Sequence, residues 1–266
     1  MEQNSVIISN FEVSNNHPFF LIAGPCAIEG RSHALDHAGQ IKEICNDLKV
    51  NFVYKSSFDK ANRSSKNSKR GVGIEQGLEI LSSVKHTFNI PILTDVHEPF
   101  QCKDVAKIAD IIQIPAFLCR QTDLLYFAAM NFKKVNVKKG QWLSPDKVKY
   151  IVEKIKYANT KTEVWITERG TAFGYNKLVV DFDAVDTLKS YADQVILDCT
   201  HSTQRTIEHN YTSGNPELGK KYMKVAKTFG YDGIFAEIHP TPNKALSDKD
   251  SIIDLTWITN NLTNIL

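Results

Sequence analysis

Six basic side chains stand in or soon after short apolar runs of this chain: Lys55, Lys60, Arg63, Arg120, Lys138 and Arg169. Guanidinium groups bind phosphate and carboxylate through paired hydrogen bonds, and ammonium groups add compact charge, so their convergence would suit an anionic substrate. Gathered at one place, the six would repel one another unless anions filled the space between them. A second set mixes donor types: Cys26, His201, Glu237 and Asp248 offer a thiol, an imidazole and two carboxylates. That mixture suits Zn²⁺, Fe²⁺ or Mn²⁺ better than Mg²⁺. Each of these residues also has a plainer reading, Cys26 as a small buried hydrophobe, His201 as a core histidine and Glu237 as a helix cap. Spacing alone leaves both readings open. With no CxxC or HExxH in the chain, a metal site would have to be assembled from distant segments.

The elements that must position these residues are legible as eight apolar runs: Phe19 to Ala23, Phe52 to Lys55, Pro91 to Thr94, Ile111 to Pro115, Val135 to Lys138, Glu163 to Thr167, Gln194 to Asp198 and Gly233 to Glu237. They lack strict polar alternation, as strands covered on both faces do. Helix-length stretches separate them, and Leu35 to Leu48, Leu78 to Phe88 and Val148 to Tyr157 carry apolar stripes at helical spacing. Ser144-Pro145 reads as an N-cap followed by proline at the first helical position. Eight strand–helix units in about 250 residues predict an α/β fold, the (β/α)₈ barrel. A doubly wound sheet competes, weakened by the lack of a G-x-G-x-x-G turn after the first strand. Residues 1–266 read as one domain, with residues 1–18 as an extension whose hairpin would cap the barrel's N-terminal end.

In such a barrel the chemistry sits where strands end. Those edges also carry Gly24-Pro25, Asp95-Val96-His97-Glu98, Gln113, Lys139, Thr200 and Ser202. Cys45, Cys102, Cys119 and Cys199 show no ligand pattern, and five widely spaced cysteines predict no disulfide framework. His33, His37, His86 and His209 are expected at the surface. With 32 Lys plus Arg against 30 Asp plus Glu in 266 residues, no global field would recruit nucleic acid or an anionic membrane. No apolar run approaches the roughly 20 residues that span a bilayer, and no secretory signal is visible, so a cytoplasmic location is expected.

Four segments carry a resemblance: Lys-Ser-Ser-Phe-Asp-Lys-Ala-Asn-Arg-Ser-Ser (55–65), Ile-Pro-Ala-Phe-Leu-Cys-Arg-Gln-Thr-Asp-Leu (114–124), Val-Asn-Val-Lys-Lys (135–139) and Glu-Arg-Gly-Thr-Ala-Phe-Gly-Tyr-Asn (168–176). They closely resemble the 3-deoxy-D-manno-octulosonate 8-phosphate synthase family, and the likeness runs from Phe19 to about Asp248. The resemblance implies a barrel, commonly tetrameric, that condenses phosphoenolpyruvate with D-arabinose 5-phosphate and releases phosphate, a step toward lipopolysaccharide. It implies that Lys60, Lys138 and Arg169 hold phosphoenolpyruvate with Lys55 and Gln113 nearby. Asn62, Arg63 and Ser64 would bind the sugar phosphate, whose phosphate Arg120 would reach from a neighbouring subunit. Members with Cys after the first strand depend on a divalent metal, and Ala-Gly-Pro-Cys-Ala-Ile-Glu matches them, which implies Cys26, His201, Glu237 and Asp248 as ligands. Lys60, Cys26 and His201 would then stand nearest the chemistry.

Two stretches depart from the family pattern. Arg205 to Leu218 replaces a Gly-rich lid, and Lys66-Asn67-Ser68-Lys69-Arg70 is unusually basic. The nearest rival activity is 3-deoxy-D-arabino-heptulosonate 7-phosphate synthase, whose sugar-phosphate motif Lys-Pro-Arg-Thr stands against Lys60-Ala61-Asn62-Arg63-Ser64 here. A barrel that binds sugar phosphates without catalysis is the alternative from another class.

Overall fold

A computed structural model of the chain describes residues 6–8, 11–13, 19–63, 66–206 and 212–265. Eight parallel strands form its centre: β1 (Phe20–Gly24), β2 (Asn51–Lys55), β3 (Ile92–Asp95), β4 (Ile111–Ile114), β5 (Lys134–Lys138), β6 (Glu163–Glu168), β7 (Gln194–Asp198) and β8 (Gly233–His239). They pair in chain order, and β8 closes onto β1 in a register from Gly233 opposite Phe20 to Glu237 opposite Gly24. Following the strands are α1 (Arg31–Asp47), α2 (Ile74–Phe88), α3 (Gln101–Val105), α4 (Thr122–Asn131), α5 (Val148–Ala158), α6 (Ala184–Lys189), α7 (Pro216–Ala226) and α8 (Leu255–Asn261). The expected barrel is therefore the observed fold. Among the described residues no helix is long and apolar enough to cross a membrane.

Alternation along each strand builds two cores. Residues pointing inward, Phe20, Ile22, Val53, Leu93, Ile111, Trp165, Ile196 and Phe235, pack against one another inside the barrel. Their neighbours point outward, and Leu21, Tyr54, Ile112, Val135 and Leu197 meet helix residues such as Ala38, Ile41, Leu81, Val84, Ile151 and Ile155. Both faces are thus buried, which is why the strands read as unbroken apolar runs. Two residues beyond an inward apolar side chain the next one points the same way. At that level stand Lys55, Asp95, Gln113, Asp198 and Glu237, all buried.

Local signals were met unevenly. Pro216 opens α7 and Asn215 caps it by accepting from the Leu218 amide at 3.0 Å, while Asp254 caps α8 through the amides of Thr256 and Trp257. Ser144 and Pro145 take the expected N-cap and first positions, but of a 3₁₀ turn, and the Ser144 side chain caps no amide. Its hydroxyl donates to the Asp146 carboxylate at 2.6 Å, and the turn, over Pro145–Lys147, intervenes before α5. The N-terminal hairpin exists as Val6–Ile8 paired antiparallel with Phe11–Val13. Its expected seat at the barrel's N-terminal end falls outside the described residues.

Gly24 ends β1 where the strand comes closest to β2, and a Cβ built there would land on the Lys55 carbonyl oxygen. Backbone cannot swing aside as a flexible side chain can, so Gly24→Ala must push β1 from β2 just where Cys26 and Lys55 emerge. The substitution should cost about 1–3 kcal/mol of unfolding free energy. An unchanged urea midpoint for Gly24→Ala would show that the two strand ends are not in tight contact.

Candidate active site

At the C-terminal ends of the strands the barrel opens into a cavity of about 1500 Å³. Of the residues singled out from sequence, Lys55, Lys60, Asn62, Arg63, Gln113, Lys138, Arg169, His201 and Asp248 line it. Cys26 and Glu237 are buried against this lining, and Ser64 lies outside the described residues. Arg120 does not join the cavity of its own barrel. It follows a 3₁₀ turn at Ala116–Leu118, is exposed, and borders a separate hollow with Leu143, Lys147, Tyr150, Ile151 and Lys154. Five of the six expected cations therefore converge.

Their mutual repulsion is largely offset from within, which corrects the expectation that only anions could hold them together. Glu237, completely buried, places Oε1 at 3.5 Å from Lys55 Nζ, 3.8 Å from Lys60 Nζ and 3.6 Å from His201 Nε2. Asp95 faces Lys55 at 4.0 Å and His97 at 3.2 Å, and accepts from the Ser57 hydroxyl at 2.5 Å. Burial would raise the Asp95 pKa, but Lys55 first, with His97 and Lys60, holds it well below the carboxylate range. Asp198 accepts from Lys138 at 2.5 Å, from the amides of Thr200 and His201, and from His201 Nδ1 at 2.9 Å. It too stays ionised against burial, through His201 and Lys138. Burial also works against the Lys60 ammonium, and Cys26, Glu237, Asp95 and Asp248 outweigh it, leaving its pKa above the usual lysine value.

Lys138 is poised differently. Desolvation, helped by Lys55 and Arg169 and opposed by Asp198, brings its pKa down to about 8. Its ammonium also lies 3.2 Å from the Phe235 ring centroid, a cation–π contact. Among the described residues the two guanidinium groups have only neutral partners. Arg63 donates to Ser247 Oγ at 2.6 Å and Arg169 to Gln204 Oε1 at 2.6 Å. Arg63 Nε and Arg169 Nη1 are buried with no hydrogen-bond partner. Buried, unneutralised guanidinium N–H groups facing a cavity are seats for an anion.

Three of the four expected ligands come together, and His201 stands at their edge. Ligand atoms of Cys26, Glu237 and Asp248 lie within 4.8 Å of one another, and His201 Nε2 joins through Glu237. Asp198 accepts the Nδ1 proton of His201, which leaves Nε2 bare and oriented, the arrangement that supports a metal-bound imidazole. Glu237 Oε2 is buried without a partner. The Cys26 thiol donates to Asp248 at 3.0 Å, its pKa pushed up by burial and then by Glu237 and Asp248. Asp248 holds a left-handed backbone at φ 53°, a conformation aspartate tolerates better than most residues. A divalent cation fits this donor set, since it would occupy the orphaned oxygen and replace the thiol proton.

Several site residues escaped the sequence reading. Asp198 and Gln204 hold His201, Lys138, Arg169 and, at 3.4 Å, Asp248, and the available signal was an acid at the end of the seventh strand. Lys139 departs from Lys138 as strand parity requires, pairing with Glu168 at 3.3 Å outside the cavity. In the basic stretch, Arg70 clamps the Asp59 carboxylate through two nitrogens, and its carbonyl accepts from the Lys60 amide at 2.7 Å. The stretch thus braces the loop that carries Lys60. In the stretch that replaces the family's Gly-rich lid, Arg205–Thr206 pairs with Thr212–Ser213, beside a second ribbon of Thr171–Ala172 and Leu178–Val179, while residues 207–211 lie outside the described set. Cys45, Cys102, Cys119 and Cys199 are buried and free. His86 is exposed as expected, but His37 is buried and His33 half-buried, because the start of α1 packs against His239. His209 lies outside the described residues.

Residues 4–263 match the model of the DAHP synthetase I family. The chain is 48% identical over 242 residues to 2-dehydro-3-deoxyphosphooctonate aldolase of Francisella tularensis subsp. holarctica, covering 91% of this chain and 88% of that one. Proteins of the same name from Fusobacterium nucleatum and Rickettsia bellii are 46% and 45% identical over 253 and 264 residues. These matches cover 95% and 99% of this chain, and 91% and 96% of the relatives. The chain belongs to the DAHP synthetase I family.

Proposed function

We propose that this chain condenses phosphoenolpyruvate with D-arabinose 5-phosphate and water to give 3-deoxy-D-manno-octulosonate 8-phosphate and phosphate. The observation that carries the proposal is that Arg63 and Arg169 each hold a buried guanidinium nitrogen without a partner in one cavity, and among the described residues neither has a carboxylate partner. Two anionic substrates need two such seats. The relatives' shared name supports the product, and Asn62-Arg63 in place of Pro-Arg favours the five-carbon sugar phosphate over the four-carbon one.

In this reading Arg169 and Lys138 hold phosphoenolpyruvate, with Gln113 kept in place by Asn136 at 3.0 Å. Asn62 and Arg63 hold the sugar phosphate so that its aldehyde carbon meets C3 of phosphoenolpyruvate, and proximity supplies much of the rate. C3 attacks the aldehyde, whose oxygen takes a proton. Lys60, kept charged by its acidic neighbours, is the donor within the cavity. Water adds at C2, and the C2–O bond then breaks to release phosphate. Cys26, His201, Glu237 and Asp248 would hold a divalent metal, which when bound supplies Lewis-acid charge beside the reacting oxygens. Arg120, exposed outside its own cavity, would serve the site of a neighbouring copy in a homotetramer. The exposed, stacked Phe117 and Trp142 beside it support such a contact.

Phosphate release and product identity test the reading. Arabinose 5-phosphate should exceed erythrose 4-phosphate in kcat/KM by at least about 100-fold, with turnover lost on chelation and regained with Mn²⁺ or Zn²⁺. Comparable values for the two sugars would remove the assignment, and full turnover in protein shown to be metal-free would remove the metal. Subunit sharing has its own assay: inactive Arg63→Ala and Arg120→Ala proteins, once mixed and exchanged, should recover activity, because one site can then combine both intact arginines. Persistent inactivity after verified exchange would place Arg120 in its own barrel. For Lys138, kcat/KM for phosphoenolpyruvate should fall as pH rises through about 8, where the ammonium facing the anion is lost. Lys138→Arg stays charged and should lack that descending limb, and an unaltered limb would mean another group titrates there.

A further inference from the structure

At the cavity end of the barrel, the first turns of α1 carry His33 and His37, four residues apart and so on one helix face. The end of β8 brings His239 against them. Ring nitrogens of the three lie within 4.8 Å of one another, and the Glu29 carboxylate is 3.9 Å from His33 Nε2. Neither the reaction nor the Cys26 cluster uses this group.

Hydrogen-bond partners fix where the protons sit. His37 Nδ1 lies 2.8 Å from the His33 carbonyl oxygen, which can only accept, so Nδ1 carries the hydrogen and Nε2 is bare. That Nε2 is buried with no partner, on a residue only 4% exposed. The Thr241 amide donates to His239 Nδ1 at 2.8 Å, so His239 carries its hydrogen on Nε2 and donates to His33 Nε2 at 3.3 Å. His33 therefore keeps its hydrogen on Nδ1, also buried and unpartnered. Burial lowers the pKa of both helix histidines, that of His37 to about 4, so both rings are neutral at physiological pH. Both already hold the tautomer that presents Nε2 to a cation. The His37 bond to a backbone carbonyl orients its ring as bonds of this kind orient metal-bound imidazoles.

We propose that His33 and His37, with Glu29 and His239 beside them, form a second metal site that takes a borderline divalent ion of the Zn²⁺ and Co²⁺ type. Imidazole nitrogen with carboxylate oxygen suits such ions, and i, i+4 histidines chelate from one helix face. The ion takes the bare Nε2 of His37 and displaces His239 from the Nε2 of His33. Glu29 and water fill the remaining positions. Ligation through His239 Nε2 would require moving its proton to Nδ1 and losing the Thr241 bond, so His239 is the neighbour and the helix pair is the chelate. The site ties the start of α1 to the end of β8.

Cobalt titration of metal-freed Cys26→Ala protein tests this without the thiolate site. One equivalent of Co²⁺ should bind at micromolar concentration, with d–d absorption and no thiolate-to-cobalt charge-transfer band. Adding His37→Leu, or separately His33→Gln, should reduce that equivalent to zero, while His86→Leu, at an exposed histidine, should leave it. If Cys26→Ala proves unstable, His37→Leu alone should remove one of two equivalents from the otherwise unaltered protein and spare the charge-transfer band. Failure of the Cys26 site shows instead as a missing charge-transfer band. An equivalent that survives both histidine changes, or no binding to Cys26→Ala, overturns the second site.

Discussion

Strand parity decides this molecule. Every second residue of a barrel strand points to the axis, and on five strands an apolar inward residue is followed, two positions on, by Lys55, Asp95, Gln113, Asp198 or Glu237. The same side of each strand thus supplies a packed floor and a polar layer above it. A one-residue slip in any strand would send its polar residue among the helices and an outward apolar one into the cavity. Closure of β8 onto β1, with Gly24 allowing the ends of β1 and β2 to meet, fixes the level at which the polar layer sits.

That layer survives burial because its charges are matched. Glu237 is shared by Lys55, Lys60 and His201, Asp95 holds Lys55 and His97, and Asp198 holds Lys138 and His201. Taking one partner from such a buried set leaves the other uncompensated, a loss of about 3–5 kcal/mol. Against this internal balance Arg63 and Arg169 stand out, since their described partners, Ser247 and Gln204, are neutral. The site is thus preorganised where charge is balanced and receptive where it is not.

The sequence revealed strands well and pairings poorly. Burial on both faces makes a strand an unbroken apolar run, so each of the eight strands lies within two residues of its expected bounds. The polar edge was legible for the same reason, because residues after such runs must face the mouth. Which carboxylate would neutralise which cation was not, since Asp198, Lys138 and His201 come from different segments and meet only on closure. The expected convergence of six cations on one mouth fails at Arg120, because a 3₁₀ turn redirects the chain after β4. His37 reads as a polar residue on a helix, and only the packing of α1 against β8 buries it. Position at the strand ends left the metal reading of Cys26, His201, Glu237 and Asp248 open, and family resemblance favoured it and gave the individual cations their roles.

Two separate anion seats are the centre of this site, and equilibrium binding of each substrate to Arg63→Gln and Arg169→Gln measures them most directly. A lost charge-assisted contact is worth about 1.5–3 kcal/mol, roughly 10- to 100-fold in affinity. Arg169→Gln should lose that much for phosphoenolpyruvate while keeping arabinose 5-phosphate, and Arg63→Gln should do the reverse. Equal weakening of both ligands by either substitution would contradict two distinct seats.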